Sequence, residues 1–260
     1  MSALLDVRGL RKTYHGGGRS VMALDDVSFS LAAGETLALV GPSGSGKSTL
    51  ARAITRLIRV DAGQVAFAGT DWLGLSPSGL RRQRRAMQMV FQDPLDAFNP
   101  RASVFSAIAD PIRIHRLAPR NLWRQNVLNL LDRVQLPAGL IDRAIHEISG
   151  GQRQRVALAR ALACQPKMIV LDEAVSALDV SMRGQILDLL IDLQAREGLS
   201  YLFVSHDLAV VNAVAHRVAV MAEGRIVEHG PTHAVLAAPA SPMAKSMIAA
   251  VPRLNATRTS

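Results

Sequence analysis

Nine consecutive residues constrain this chain more than any others: Gly41-Pro42-Ser43-Gly44-Ser45-Gly46-Lys47-Ser48-Thr49, a complete G-x-x-x-x-G-K-[ST] pattern. An apolar run from Thr36 to Val40 leads into it, and Leu50, Ile54, Leu57 and Ile58 follow at i, i+4, i+7 and i+8. That order predicts strand, loop and helix. Glycine lets backbone N–H groups turn inward toward phosphate oxygens, where a side chain at Gly44 or Gly46 would obstruct them. The helix starting near Lys47 adds the positive end of its dipole. Lys47 is placed to neutralise β and γ phosphates, and the Ser48 hydroxyl to complete the shell of a Mg²⁺ ion.

The other bounds are looser. A chain of 260 residues, 49% apolar, is long enough for one large α/β domain or a domain with an inserted subdomain. Its formal charge of +9 suits an anionic partner: a nucleotide, a nucleic acid or the inner face of a membrane. Cys164, the only cysteine, lies in an apolar helical run and reads as a core thiol in a reducing compartment. The start, Met-Ser-Ala-Leu-Leu-Asp-Val-Arg, reaches a carboxylate and a base before any long apolar stretch, so no signal peptide is expected. The best candidate membrane span, Tyr201 to Ala222, is broken by His206, Asp207, Asn212, His216 and Arg217. The expectation is a cytosolic chain that touches a membrane at most.

In chain order, residues 3 to 35 alternate around Gly16-Gly17-Gly18 and predict antiparallel strands. Tyr14, just before that turn, suits stacking on an adenine ring and suits a half-buried strand position equally well. Asp61 to Gly69 predicts a short strand pair, and Arg81-Arg82-Gln83-Arg84-Arg85 a solvated helix face, favoured over nucleic-acid or lipid binding because no aromatic interleaves the cations. Met87 to Phe91 predicts a strand ending on Gln92. From Asp93 to Ile148 the periodicity is helical, broken by prolines at 94, 100, 111, 119 and 137, which predicts a helical insertion.

Ser149-Gly150-Gly151-Gln152 has capping-box spacing and opens a helix through Ala163. Capping explains the serine and glutamine but not two glycines in a first turn, each costing about 1 kcal/mol of propensity; bare backbone there leaves the terminus open to an anion. Met168 to Asp172-Glu173 is an apolar strand ending in two carboxylates, which a parallel sheet places beside the phosphate loop. Asp172 suits holding a metal through water and Glu173 polarising an attacking water. Ser176-Ala-Leu-Asp179 and a helix from Arg183 to Gln194 follow. Ser200 to Ser205 predicts a last buried strand, ending at His206, where an imidazole reaches toward a γ-phosphate.

Gly41 to Ser48, Gln92, Ser149 to Gln152, Met168 to Glu173, Ser176 to Asp179 and His206, in this order, resemble the full motif series of an ATP-binding-cassette (ABC) ATPase. Within that superfamily, Phe91 to Arg101, Ser176 to Ser181 and the tail Ser241 to Pro252 are similar to ATPase subunits of peptide and nickel importers. The resemblance implies one domain over 1–260: an α/β fold with a RecA-like P-loop NTPase core, an antiparallel β subdomain, an inserted α-helical subdomain near 93–160 carrying the signature motif, and an importer-type tail near 230–260. It implies Glu173, His206 and Gln92 as catalytic, and Tyr14, Gly41 to Thr49, Ser149, Gly150, Gly151, Gln152 and Asp179 around ATP. It implies Ser48, Gln92 and Asp172 around Mg²⁺.

The implied partners are two membrane-spanning permeases, a second cassette, and indirectly a periplasmic or extracellular substrate-binding protein, on the cytoplasmic side of the inner membrane; no nucleic acid is expected. The facing cassette's copy of Ser149 and Gly151 would close over the γ-phosphate. Ile148 stands where leucine is usual, Ala174 where proline is common, and Ser-Pro-Met-Ala where relatives carry His-Pro-Tyr-Thr. One cysteine cannot form the iron–sulfur cluster of some longer relatives. Two alternatives stand beside the importer: a soluble cassette acting on nucleic acid or ribosomes, supported by charge alone, and a non-hydrolysing regulator, disfavoured by both carboxylates and His206.

Overall fold

Alternation of apolar residues produces two sheets. The computed structural model describes residues 3–16 and 19–250; Gly17 and Gly18 of the expected glycine turn, and the tail beyond Ala250, lie outside them. β1 (Leu5–Gly16) and β2 (Arg19–Leu31) pair antiparallel, and β1 pairs on its other side with β4 (Ala62–Phe67), which turns into β5 (Thr70–Asp71). The second sheet has the order β10-β9-β3-β8-β7-β6, formed by β3 (Thr36–Val40), β6 (Met87–Val90), β7 (Met168–Asp172), β8 (Ser200–Val204), β9 (Arg217–Ala222) and β10 (Arg225–Pro231). All its pairs are parallel except β9 with β10.

Covering both faces of that sheet requires near-continuous apolar strands, and the period of two sorts their residues. Met168, Val170, Leu202 and Val204 face one core with Leu37, Leu39 and the antiparallel sheet. Ile169, Leu171, Tyr201 and Phe203 face the other, shared with helices. Ala38, Val40, Val218 and Val220 meet a third cluster under the C-terminal helices.

The helix after the phosphate loop, α1, is shorter than its periodicity predicts, spanning Lys47–Ile54. Arg56 takes φ 54°, its N–H reaches the Ala53 carbonyl and the Leu57 N–H the Arg52 carbonyl, a Schellman closure that stops the helix. Leu57 is therefore left 45% exposed. The arginine run falls on α2 (Pro77–Gln83) and the single turn after it, with all but the half-buried Arg84 exposed. Between β6 and β7 lie α3 (Val104–Ile114), α4 (Trp123–Arg133) and α5 (Gly150–Leu162). Pro111 sits inside α3 rather than breaking it, because Val104, Ile108 and Ile112 anchor that helix in the core on both sides of the ring.

The structure extends α6 (Val180–Glu197) about a turn beyond the predicted range, from an Asp179 N-cap to Gly198 in the left-handed region. The 201–222 stretch is β8, then α7 (Leu208–Val214), then β9; none of the described helices is long and apolar enough to cross a membrane. Two short helices, α8 (Thr232–Ala237) and α9 (Pro242–Ala249), close the described chain. Sequence reading passed over β9, β10 and these helices, although Val218 to Ala222 before the Glu223-Gly224 turn carries a strand signal.

Candidate active site

The carboxyl ends of β3, β7 and β8 lie side by side, so the residues just past them share one sheet edge. Past β3, the loop 41–46 folds tightly. A Cβ at Gly46 would meet the Ala23 carbonyl oxygen at 2.3 Å, and φ there is 103°. At Gly44, φ is 79° and a Cβ would meet no protein atom within 4 Å, so within the chain glycine serves the backbone conformation. Gly46 caps α1 with no side-chain bond, and the ladder closes from the Leu50 N–H onto the Gly46 carbonyl at 2.9 Å. The first-turn N–H groups are thus left to an outside acceptor.

Lys47 is buried, and its Nζ donates to the carbonyls of Gly41 (2.9 Å) and Pro42 (2.8 Å). Burial pulls its pKa down, against the opposing charges of Glu173 and Asp172. The ammonium is thus held by carbonyls of its own loop. Ser48 Oγ donates to Asp172 Oδ1 at 3.0 Å. Burial raises the Asp172 pKa, opposed by that hydrogen bond and by Arg52 and Lys47. A hydroxyl and a carboxylate oxygen in contact are the hard donors that Mg²⁺ takes when water and phosphate complete its octahedron. The Ser48–Asp172 contact is thus a donor set that fits an ion shared with phosphate and water.

Glu173 takes φ 49°, and its N–H donates to the Val204 carbonyl at 3.0 Å, tying the end of β7 to that of β8. Its Oε1 lies 3.5 Å from His206 Nδ1. Gln92, exposed two residues past β6, donates from Nε2 to Ser176 Oγ at 3.4 Å, and Ser176 Oγ donates to the Glu173 carbonyl at 2.9 Å. Ser176 is the junction sequence reading did not single out as a site residue; its place three residues after Glu173 is the available signal. Asp179 accepts from the Met182 N–H at 2.9 Å as a helix cap.

Tyr14 pairs with Val21 in the β1–β2 ladder, two residues along β2 from Ala23, whose carbonyl faces Gly46. Its ring is 43% exposed, with Lys12 Nζ 5.5 Å from its centroid. Ser149 lies apart. Its Oγ accepts from the Gln152 N–H (3.2 Å) while Gln152 Oε1 accepts from the Ser149 N–H (3.0 Å), and no hydrogen bond joins these residues to the phosphate loop among the described residues. Gly150 is open, whereas a Cβ on the buried Gly151 would strike the Met182 side chain at 1.7 Å. Gly151 thus packs against the movable end of the Met182 side chain of α6, and Gly150 presents bare backbone.

A phosphate loop, a hydroxyl–carboxylate pair and a paired glutamate and histidine at the edge of a parallel sheet define a phosphate-loop ATPase of the cassette class. The chain belongs to the ABC transporter family, whose profile matches residues 24–176. It is 50% identical over 240 residues to the glutathione import ATP-binding protein GsiA of Escherichia coli (strain K12) and equally to that of Salmonella paratyphi A (strain ATCC 9150 / SARB42). Each match covers 92% of this chain and 38% of the relative, so the chain spans well under half their length. Among solved structures it resembles the dimeric post-hydrolysis ATP-binding cassette MJ0796 bound to ADP and Pi (TM-score 0.81, 28% identity, 88% of this chain and 98% of that one). It also resembles cbiO1 of Clostridium perfringens, part of the ABC transporter complex cbiONQ (TM-score 0.81, 30% identity, 92% of each chain).

Proposed function

We propose that this chain hydrolyses Mg-ATP to drive a membrane importer of small peptides or peptide-like solutes. The observation that carries the chemistry is the contact of Glu173 with His206 beside the Ser48–Asp172 pair and the uncapped α1 terminus. Lys47 and the loop amides grip the β and γ phosphates. Ser48 and Asp172 would hold Mg²⁺, which when bound supplies charge neutralisation at the phosphates. Glu173 orients a water and takes its proton as the water oxygen bonds to γ-phosphorus and the bond to the β,γ-bridging oxygen breaks. His206 steadies the glutamate and presents its other nitrogen to the γ-phosphate, while Gln92 reports occupancy through Ser176. Tyr14 offers its exposed ring to the adenine.

The peptide side of the peptide-or-nickel expectation is supported by the relatives named for glutathione import. Docking on permeases is supported by a cavity of about 300 Å³ where β6 and the segment after Gln92 meet α3 and α5, lined by Val90, Phe91, Pro94, Ala97 and Ile114 among others. Its apolar floor and its link to Gln92 suit a partner that must sense nucleotide. On this reading the chain sits on the cytoplasmic side of the membrane and works beside a second cassette. Affinity capture of the tagged chain from its host's membranes should bring two permeases; capture of ribosomes or nucleic-acid enzymes would keep the ATPase and overturn the transport reading.

A further inference from the structure

Next to the docking cavity, two stretches far apart in sequence bring arginines together. Arg81, Arg82 and Arg85 come from α2 and the turn after it, and Arg116 from the residues just past α3. With Gln83, Ile114 and His115 they line an open cavity of about 430 Å³ that contains no carboxylate. Among the described residues none of these four arginines is in an ion pair; the nearby Asp110 is taken by Arg113 at 2.8 Å. Like charges gathered without counter-ions repel, and a surface of fixed anions relieves that repulsion. Burial, with the fields of Arg85 and Arg81, holds the His115 imidazole below its ordinary pKa, as expected in a positive site.

Ile114, 49% exposed, sits among these cations, and Leu57, 45% exposed, lines the adjoining cavity. No Phe, Tyr or Trp lines the arginine cavity, so nucleic acid lacks a large stacking platform there. Exposed guanidinium groups around an exposed aliphatic side chain match the phosphate headgroups and acyl boundary of an anionic leaflet. We propose that Arg81, Arg82, Arg85 and Arg116 seat this chain on anionic phospholipid headgroups, with Ile114 as the apolar contact. That the cluster faces the membrane in the assembled transporter rests on the docking proposed above; binding of the isolated chain to vesicles tests it without that reading.

The test is co-sedimentation of the full chain with vesicles of one part phosphatidylglycerol to two parts phosphatidylcholine, against phosphatidylcholine alone. At about fivefold in partitioning per basic residue near an anionic surface, before screening, R81Q/R82Q/R85Q/R116Q should lose at least about tenfold in binding. R19Q/R59Q/R120Q/R143Q, with the same charge change elsewhere, should stay within about twofold of the native chain. R116Q alone, expected to lose a few-fold, serves if the quadruple variant fails to fold. Equal losses in both quadruple variants would reduce the effect to net charge and overturn the proposal. So would displacement from vesicles by micromolar pyrophosphate, which marks a free-anion site, or tighter retention on duplex DNA than on vesicles.

Discussion

The parallel-sheet region and the helical insertion handle their polar groups in opposite ways. At the sheet edge, Lys47, Ser48, Asp172, Glu173 and His206 already engage one another or their own loop. On the insertion, Ser149 and Gln152 satisfy only each other, and Gly150 presents bare backbone to solvent. On the function proposed above, the first is the catalytic centre and the second an anion-receptive terminus that serves the nucleotide of another cassette. The difference is what the proposed function requires: chemistry local to the sheet and completion by a second surface.

The largest effect should come from the sheet. Glu173→Gln removes the proton acceptor while keeping shape, and turnover should fall at least about a hundredfold with nucleotide affinity preserved; steady-state hydrolysis at the native rate would remove Glu173 from the mechanism. Gly150→Ala sharpens the contrast. Nothing in this chain lies within 4 Å of the added Cβ, and helix propensity improves by up to about 1 kcal/mol, so the melting temperature should hold or rise. Turnover should nevertheless drop about tenfold if another chain's phosphate must approach that backbone; unchanged turnover would make Gly150 incidental.

The smallest effect is in stability. Burial raises the Asp172 pKa above its unfolded value, so folding disfavours the carboxylate and the cost grows as pH rises from the unfolded pKa through the folded one. Asp172→Asn should therefore stabilise the chain at neutral pH, with the gain fading as pH falls from the raised folded pKa and gone below the unfolded value of about 4, even as Mg²⁺-dependent turnover is lost. A thermal melt at the two pH values checks both signs, and a gain that persists at acid pH would point to packing instead.

Much of the nucleotide side was legible because its groups follow strands directly: Gly41, Gln92, Asp172 and His206 each sit just beyond an apolar run, and a parallel sheet delivers such residues to one edge. What was not legible depended on contacts between distant segments. Arg56 stopping α1 two turns in, Ser176 bridging Gln92 to Glu173, Met182 covering Gly151, and Pro111 carried inside α3 are outcomes of packing, invisible to local periodicity. The arginine run read as a solvated face, and its convergence with Arg116 required the fold that brings α2 against the end of α3.

The central claim, that the site is complete only when a second chain offers its Ser149 terminus, is tested most directly by light scattering on the Glu173→Gln chain with saturating Mg-ATP. The mass should double on adding nucleotide and return to that of one chain when Ser149→Arg is added, with ATP affinity retained. A dimer indifferent to Ser149→Arg, or one equally present without ATP, would contradict it.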